Sequence, residues 1–201
     1  SERIGTSLGD LFKNINGLKE YSGKYLFDNR VCECDAIIMG TKYALIIECK
    51  RKGISRVARG GSDANIVQDI AETYFSSQAQ AYRMQRAIES LGRQVDFYPS
   101  ECDISTKEAL NVKYCKCKKT ARFTNVKHFI RISCTGGSFW IASDGGIADH
   151  IERHIMDYNV KGKKSKAYID EFMSERAKLL NLQCNEKNER CIRLNKLFLS
   201  F

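Results

Sequence analysis

"LIIECKRKG", residues 45–53, joins an aliphatic run directly to a group of charges. Strand side chains alternate between the two faces of a sheet, so Glu48 and Lys50 point to one side and Cys49 points to the other. The run is apolar at successive positions, which is typical of a central strand covered on both faces. The stretch therefore predicts a buried strand whose end carries a carboxylate and an ammonium group.

A second strand precedes this one and is expected to pair with it. "VCECDAIIMG" ends at Gly40 and "KYALIIEC" follows after a short turn, which predicts a hairpin with strands over about 31–39 and 43–49. Pairing would bring Asp35 close to Glu48 and Lys50. Two carboxylates suit Mg²⁺ or Mn²⁺, and a lysine beside such a metal can orient water for phosphodiester hydrolysis. The alternative is a salt bridge at the strand end.

The rest of the chain alternates helical and strand patterns. Helices are predicted over about 6–16, 65–91, 147–158 and 165–182, and strands over about 93–99, 138–143 and twice within 111–133, with a flexible basic loop over 51–66. This order indicates an α/β fold, with α+β as the alternative, around one sheet. A chain of 201 residues is long enough for one domain with a substantial core.

The charge distribution favours a polyanionic partner. The chain has 33 basic and 24 acidic residues, a net charge of +9, and residues 51–134 contain 15 of the basic against 8 of the acidic ones. Nucleic acid is the first candidate for such a partner, and a solvated basic surface is the alternative. No apolar run approaches the length of about 18 residues that a membrane span requires, and no signal peptide is visible.

The cysteines favour an intracellular protein, cytoplasmic or nuclear. Nine cysteines without regular spacing indicate free thiols in a reducing compartment. Cys115 and Cys117 are candidates for half of a metal site, with Cys102, His128 or Cys134 supplying the remainder. The spacing leaves open whether these residues bind a metal.

Asp35 followed by Glu48-Cys49-Lys50 resembles the PD-(D/E)XK nuclease superfamily, in which an acid on one strand precedes acid-x-Lys on the next. Cys34 stands where the motif has its proline. The resemblance covers about residues 4–98 and implies a restriction-endonuclease-like core, a central mixed sheet flanked by helices. Residues 1–100 would form this core, and 101–201 a C-terminal α/β extension packed on the same domain. The RecB-type, NERD and Mrr-like branches share this order of elements, and the sequence does not distinguish them.

The resemblance also implies roles for individual residues. Asp35 and Glu48 would bind the metal and act in catalysis with Lys50. Asp10, on the N-terminal helix, would be a third metal ligand, with Glu20 as its rival. Gln78 and Tyr82 match the RecB-type Q-x-x-x-Y motif, which implies that they are catalytic and face the active site or the DNA strand. They share a helical face, as a polar stripe on an amphipathic helix also would.

The expected function is a nuclease dependent on Mg²⁺ or Mn²⁺, with DNA favoured over RNA as substrate. The predicted nucleic-acid contacts are Arg51, Lys52, Arg56, Arg59, Arg83, Lys116, Lys118 and Lys119. The alternatives are a non-catalytic nucleic-acid-binding module with a nuclease-like core and a docking domain of a larger assembly. The sequence leaves open endonuclease versus exonuclease action, and whether the chain forms a homodimer or part of a larger protein or complex.

Overall fold

The computed structural model describes residues 15, 17–53, 55–102, 104, 117–135, 153–154, 162–183 and 196–200, with the backbone alone for 183 and 196–200. The strands are β1 (Lys19–Phe27), β2 (Arg30–Met39), β3 (Tyr43–Lys50), β4 (Gln94–Phe97), β5 (Lys119–Arg122), β6 (His128–Thr135) and β7 (Lys196–Ser200). The helices are α1 (Arg56–Arg59), α2 (Asp63–Ile70), α3 (Ser76–Ser90) and α4 (Lys163–Gln183). A π-helical turn, Ala71–Phe75, joins α2 to α3 without a break.

Five strands form one mixed sheet in the order β1-β2-β3-β6-β7. β1, β2 and β3 pair antiparallel, and β3, β6 and β7 pair parallel. The predicted hairpin and the predicted combination of helices with a central mixed sheet are confirmed, and β3 is the middle strand of the sheet, as its apolar sequence indicated. Because β3 has neighbours on both sides, most of its backbone groups pair with an adjacent strand, and most of its side chains are buried.

Helix α3 covers one face of the sheet, and α4 packs on α3. Ile37 and Ile46 meet Met84 and Ile88 of α3 in the largest apolar cluster. The opposite face of the sheet has its own apolar cluster, which includes Ile47. Helix α4 contributes Ile169, Phe172 and Leu179 to a third cluster, with residues of the π-helical turn and α3. The predicted helices over 65–91 and 165–182 are thus confirmed, with the π-helical turn as an addition.

Strand β1 is absent from the sequence-based prediction, because Gly23 was interpreted as a break. Gly23 instead lies inside β1 with φ +111°, a conformation that favours glycine. Its neighbour Lys24 exchanges two backbone hydrogen bonds of 2.8 Å with Tyr98, directly after β4. A Cβ atom on Gly23 would stand 2.3 Å from the Tyr98 carbonyl oxygen. The glycine therefore permits the close approach of two backbones rather than ending a strand.

Other predicted elements differ in detail. The two strands expected within 111–133 do not pair with each other, since β5 joins β4 in a separate two-stranded sheet and β6 joins the main one. The predicted basic loop contains the short helix α1. Of the predicted helix over 6–16 only residue 15 is described, as a bend, and the predicted strand over 138–143 lies outside the described residues. Of the helix over 147–158 only residues 153–154 are described, as helical.

The second half of the chain completes the sheet begun by the first. β6 and β7 come from the segment that the sequence assigned to a C-terminal extension, and β6 pairs with the central strand β3 along its whole length. Among the described residues, no helix has the length and apolar character needed to cross a membrane.

Replacing Gly23 with alanine should destabilise the fold by about 3 kcal/mol, because the added Cβ would meet backbone in a conformation that L residues avoid. Gly61→Ala is the matched control, since Gly61 has φ +91° with no atom within 4 Å of the added Cβ. It should cost about 1 kcal/mol, from the backbone conformation alone. Urea unfolding measures both, and equal losses would contradict the close approach at Tyr98.

Candidate active site

A β-bulge in β2 interrupts side-chain alternation at Asp35. In the β1–β2 pairing, Tyr21 faces Ile37 but Gly23 faces Cys34, so Asp35 and Ala36 together oppose a single residue of β1. Cys34 and Ile37 consequently both join the cluster under α3, although they are three residues apart. A bulge bends its strand and re-aims a side chain, and here the re-aimed residue is the predicted acid.

Asp35 lies where β2 and β3 separate. The last paired residues of the two strands are Ala36 and Ile47. Beyond this pair, one residue along β2 and two along β3, the backbone N–H of Cys49 donates to Asp35 Oδ2 at 2.7 Å. The carboxylate thus satisfies a backbone group that the ladder leaves without a strand partner. The amide belongs to the residue between Glu48 and Lys50 in sequence, so the hydrogen bond holds the Asp35 carboxylate close to both of them.

Glu48 is a buried carboxyl group in the central strand. Its side chain is 2% exposed, and Oε1 has no hydrogen-bond partner among the described residues. Burial raises the pKa of Glu48 well above its usual value, and the nearby charge of Asp35 raises it further, against the smaller opposing effect of Lys50. A buried polar atom without a partner costs about 1–3 kcal/mol, so this oxygen favours any cation or donor that reaches it.

Asp35 and Glu48 form a pair of acids rather than a complete cage. The described residues contain no group of three or more His, Cys, Asp and Glu side chains placed to hold a metal ion. Asp10, the predicted third ligand, lies outside the described residues. Its rival Glu20 pairs with Ile38, three residues along β2 from Asp35. Any metal at this pair would therefore take its remaining ligands from water, substrate or residues outside the described part.

Lys50 is held by a residue that the sequence-based prediction missed. Its Nζ donates to Gln80 Oε1 on α3. Gln80 and Gln78 are two residues apart, so they lie about 200° apart around the helix, and only one of them can face Lys50. The signal in the sequence was the second glutamine of "QAQAY", which the Q-x-x-x-Y pattern leaves out. Gln80 is half-buried and fixes the ammonium group relative to the sheet.

Gln78 and Tyr82 lie in the protein interior. Both side chains are buried, and Gln78 Nε2 donates to Ser133 Oγ at 2.8 Å. Ser133 is the residue of β6 that pairs with Glu48 in the parallel ladder, so Gln78 contacts the residue beside Glu48 on the neighbouring strand. The Tyr82 ring lies 4.2 Å from the guanidinium carbon of Arg131. Tyr82 thus packs in the core, and the catalytic roles of both residues stay predictions.

The predicted basic contacts fall into separate environments. Arg51, Arg56 and Arg59 are exposed. Lys52 forms ion pairs of 2.8 Å with Asp69 and 2.7 Å with Glu72, which fasten the segment after β3 to the helix that follows. The two ion pairs restrain this segment, which contains the exposed arginines.

The other predicted contacts are also spread apart. Arg83 is buried between α3 and α4, paired with Glu171 and, at 3.7 Å, with Glu175, so in this structure it serves helix packing. Lys118 pairs with Asp96 at 2.7 Å. Lys119 is exposed, and Lys116 lies outside the described residues.

The positions of the candidate ligands reduce the possible partners of Cys117 in a metal site. The Sγ atoms of Cys102 and Cys117 lie 3.1 Å apart, beside the two-stranded sheet. Cys134 is buried in the main sheet opposite Cys49, and His128 lies at the exposed start of β6. Of the three candidates to complete a site with Cys117, only Cys102 is therefore adjacent to it.

Comparison of the chain with models of protein families, with curated proteins and with solved structures found no match. The chemistry of the site therefore rests on its own residues. Their common feature is the end of a central strand where Asp35, Glu48 and Lys50 meet, restrained by a backbone amide and by Gln80.

Glu48→Gln should make the metal-free protein more stable at pH 8 by about 1–2 kcal/mol, because it removes a group whose ionisation favours the unfolded state. Folding raises the pKa of Glu48, so its stabilising contribution is full below the unfolded pKa and is lost as pH rises through the folded one. The advantage of the variant should vanish below about pH 4. Urea unfolding in EDTA measures this, with exposed Glu33→Gln as the control. An unchanged or lower stability of the variant at pH 8 would contradict the conclusion that folding disfavours the ionised Glu48 side chain.

Proposed function

We propose that this chain is a nuclease dependent on Mg²⁺ or Mn²⁺ that hydrolyses nucleic-acid phosphodiester bonds, with DNA the favoured substrate. The observation that carries the proposal is the meeting of two carboxylates and a lysine at the end of the central strand. A surface salt bridge would not bury Glu48 with an unpartnered oxygen beside a second acid. Perturbed, buried acids of this kind are typical of functional sites.

The two carboxylates fit a divalent metal ion. Mutual repulsion and burial hold the pKa of Glu48 high, so a cation between the acids would offset an existing electrostatic cost. Asp35 Oδ2 accepts from Cys49, which leaves Oδ1 to coordinate, and Glu48 Oε1 is the second available oxygen. These hard oxygen ligands suit Mg²⁺ or Mn²⁺. When bound, such an ion neutralises phosphate charge and lowers the pKa of a coordinated water.

Lys50 supplies the positive charge on the protein side. Gln80 holds its ammonium group at a fixed place beside Glu48, where it would orient the attacking water or stabilise charge on the phosphate. A group already in place needs no reorganisation when the reaction occurs. The exposed residues Arg51 and Arg56 lie in the segment after β3 and would contact flanking phosphates.

The fold supports assignment to the PD-(D/E)XK superfamily as part of this proposal. A mixed sheet, an acid on one hairpin strand, acid-x-Lys on the next and a following helix are the features that the resemblance implies. In this chain the bulge at Asp35 adds the local device that turns the first acid toward β3. The choice of DNA over RNA rests on the resemblance.

The proposal is tested with purified protein, Mg²⁺ or Mn²⁺, and circular, linear, single-stranded DNA and RNA substrates. Asp35→Asn, Glu48→Gln and Lys50→Met should each reduce cleavage by at least about a hundredfold, because each removes a charge that acts on the reacting phosphate. Glu33→Gln and Lys166→Met replace exposed residues of the same types and should cleave normally. Circular dichroism checks that all variants are folded.

Two outcomes would overturn the nuclease proposal. One is the absence of cleavage of every substrate in either metal. The other is cleavage that survives all three site substitutions, which would identify a contaminant or another site. Salt-sensitive binding that EDTA leaves unchanged, without cleavage, would favour the non-catalytic binding module instead.

Gln80→Ala should lower kcat about tenfold with little change in KM, because the lysine loses its restraint while substrate contacts remain. Gln80→Glu is the matched variant, since it keeps an acceptor of the same size and adds a negative charge. That charge should move the limb of the pH–rate profile that depends on Lys50 to higher pH. A profile identical in all three proteins would contradict the positioning role.

A further inference from the structure

The start of β3, at the other end of the strand from Glu48, carries an exposed pair of aromatic rings. Tyr43 and His128 face each other across the parallel β3–β6 ladder. Their ring centroids are 5.0 Å apart and their planes are inclined by 25°, so the rings are stacked. Tyr43 is 54% exposed, and His128 is exposed as well. Together with Lys42 and Lys127, these residues are called the stacking platform below.

The platform is built on ordered backbone. The N–H groups of Lys127 and His128 both donate to the Lys42 carbonyl oxygen, at 2.8 and 3.1 Å. The Gly40 N–H donates to the Tyr43 carbonyl at 2.9 Å and closes the turn between β2 and β3. Because these bonds fix the backbone that carries the two rings, ligand binding would cost little entropy for ordering that backbone.

The platform is positively charged, and its two lysines have no acidic partner among the described residues. Lys42 and Lys127 are exposed, and in the described part of the chain no carboxylate lies within 4.0 Å of either ammonium group. This contrasts with Lys52 and Lys118, which have acidic partners. Two exposed lysines next in sequence to two stacked rings complement phosphates joined to flat bases.

We infer that the stacking platform binds unpaired bases of a single-stranded nucleic acid, with Lys42 and Lys127 contacting the adjacent phosphates. The bases would continue the stack that Tyr43 and His128 begin, because every base presents a flat π face. A base inside a duplex has both faces covered by its neighbours, so the platform selects single strands or unpaired ends. The inference rests on the proposed function, since it takes nucleic acid as the substrate.

The platform and the candidate active site are separated along one rigid strand. Tyr43 and Glu48 are five residues apart in β3, about 17 Å at about 3.3 Å per residue, and by strand alternation their side chains lie on opposite faces of the sheet. A nucleic-acid strand held at both places would span more than this distance, because it would also pass from one face of the sheet to the other. The platform would therefore favour substrates with a longer single-stranded segment next to the cut.

Binding without cleavage tests the inference directly. Fluorescence anisotropy in EDTA compares a 20-nucleotide thymidine strand with a 20-unit abasic strand of the same charge, so that only the bases differ. The native protein should bind the thymidine strand at least about tenfold more tightly, and Tyr43→Ala combined with His128→Ala should bind the two strands equally. Tyr43→Phe keeps the ring and should retain the preference. Leu182→Ala, which removes an exposed apolar residue on α4, should also retain it.

The lysines are tested by salt dependence. Lys42→Gln combined with Lys127→Gln should weaken both strands and reduce the slope of log affinity against log salt by about 1.4, which corresponds to two phosphate contacts. A folded Tyr43/His128 double variant that still prefers the thymidine strand would overturn the inference. Binding of an acidic peptide but of neither strand would overturn it too, in favour of a protein partner.

The two proposals fail in different ways. Base-dependent binding through the platform without any metal-dependent cleavage would support the inference and contradict the nuclease. Cleavage that is indifferent to Tyr43 and His128, on a 20-nucleotide strand and on a 4-nucleotide one alike, would contradict only the platform.

Discussion

The hydrogen bond from the Cys49 amide to the Asp35 carboxylate is the interaction on which the candidate site depends. It forms where the β2–β3 ladder ends, beside the bulge that places one extra residue in β2. The bulge coincides with the point where the two strands separate, so the acid lies at the gap between them. A carboxylate there can satisfy a backbone amide and still offer an oxygen to a ligand.

Helix α3 also determines the geometry of the site, because neighbouring residues of this helix contact different parts of the protein. Gln80 accepts a hydrogen bond from Lys50, and Gln78 donates one to Ser133, the residue that pairs with Glu48. Ala81 packs on the sheet. The same helix is fastened to α4 by buried ion pairs of Arg83 and Arg86 with Glu175. Breaking one member of such a network leaves an uncompensated charge, so the helix is held in one orientation. That orientation decides which glutamine meets the lysine.

Much of the fold followed from local patterns in the sequence. The continuous apolar run of β3 indicated a central strand, and the spacing of apolar residues indicated α3 and α4. Strand β1 escaped prediction because its glycine is explained by a contact with Tyr98, more than seventy residues away. The separation of β5 from β6 likewise depends on which distant strand each one pairs with. Partners distant in sequence leave no mark in a local window of residues.

For the site, the sequence alone determined that Glu48 and Lys50 share one face of a central strand and that an acid stands on the preceding strand. Alternation along a strand is a local property, so these residues followed from spacing. Only the tertiary structure decided that Asp35 binds the Cys49 amide, that Gln80 rather than Gln78 holds Lys50, and that Arg83 is buried against Glu175. Those outcomes depend on a bulge and on the packing of α3 and α4, which arise when elements meet.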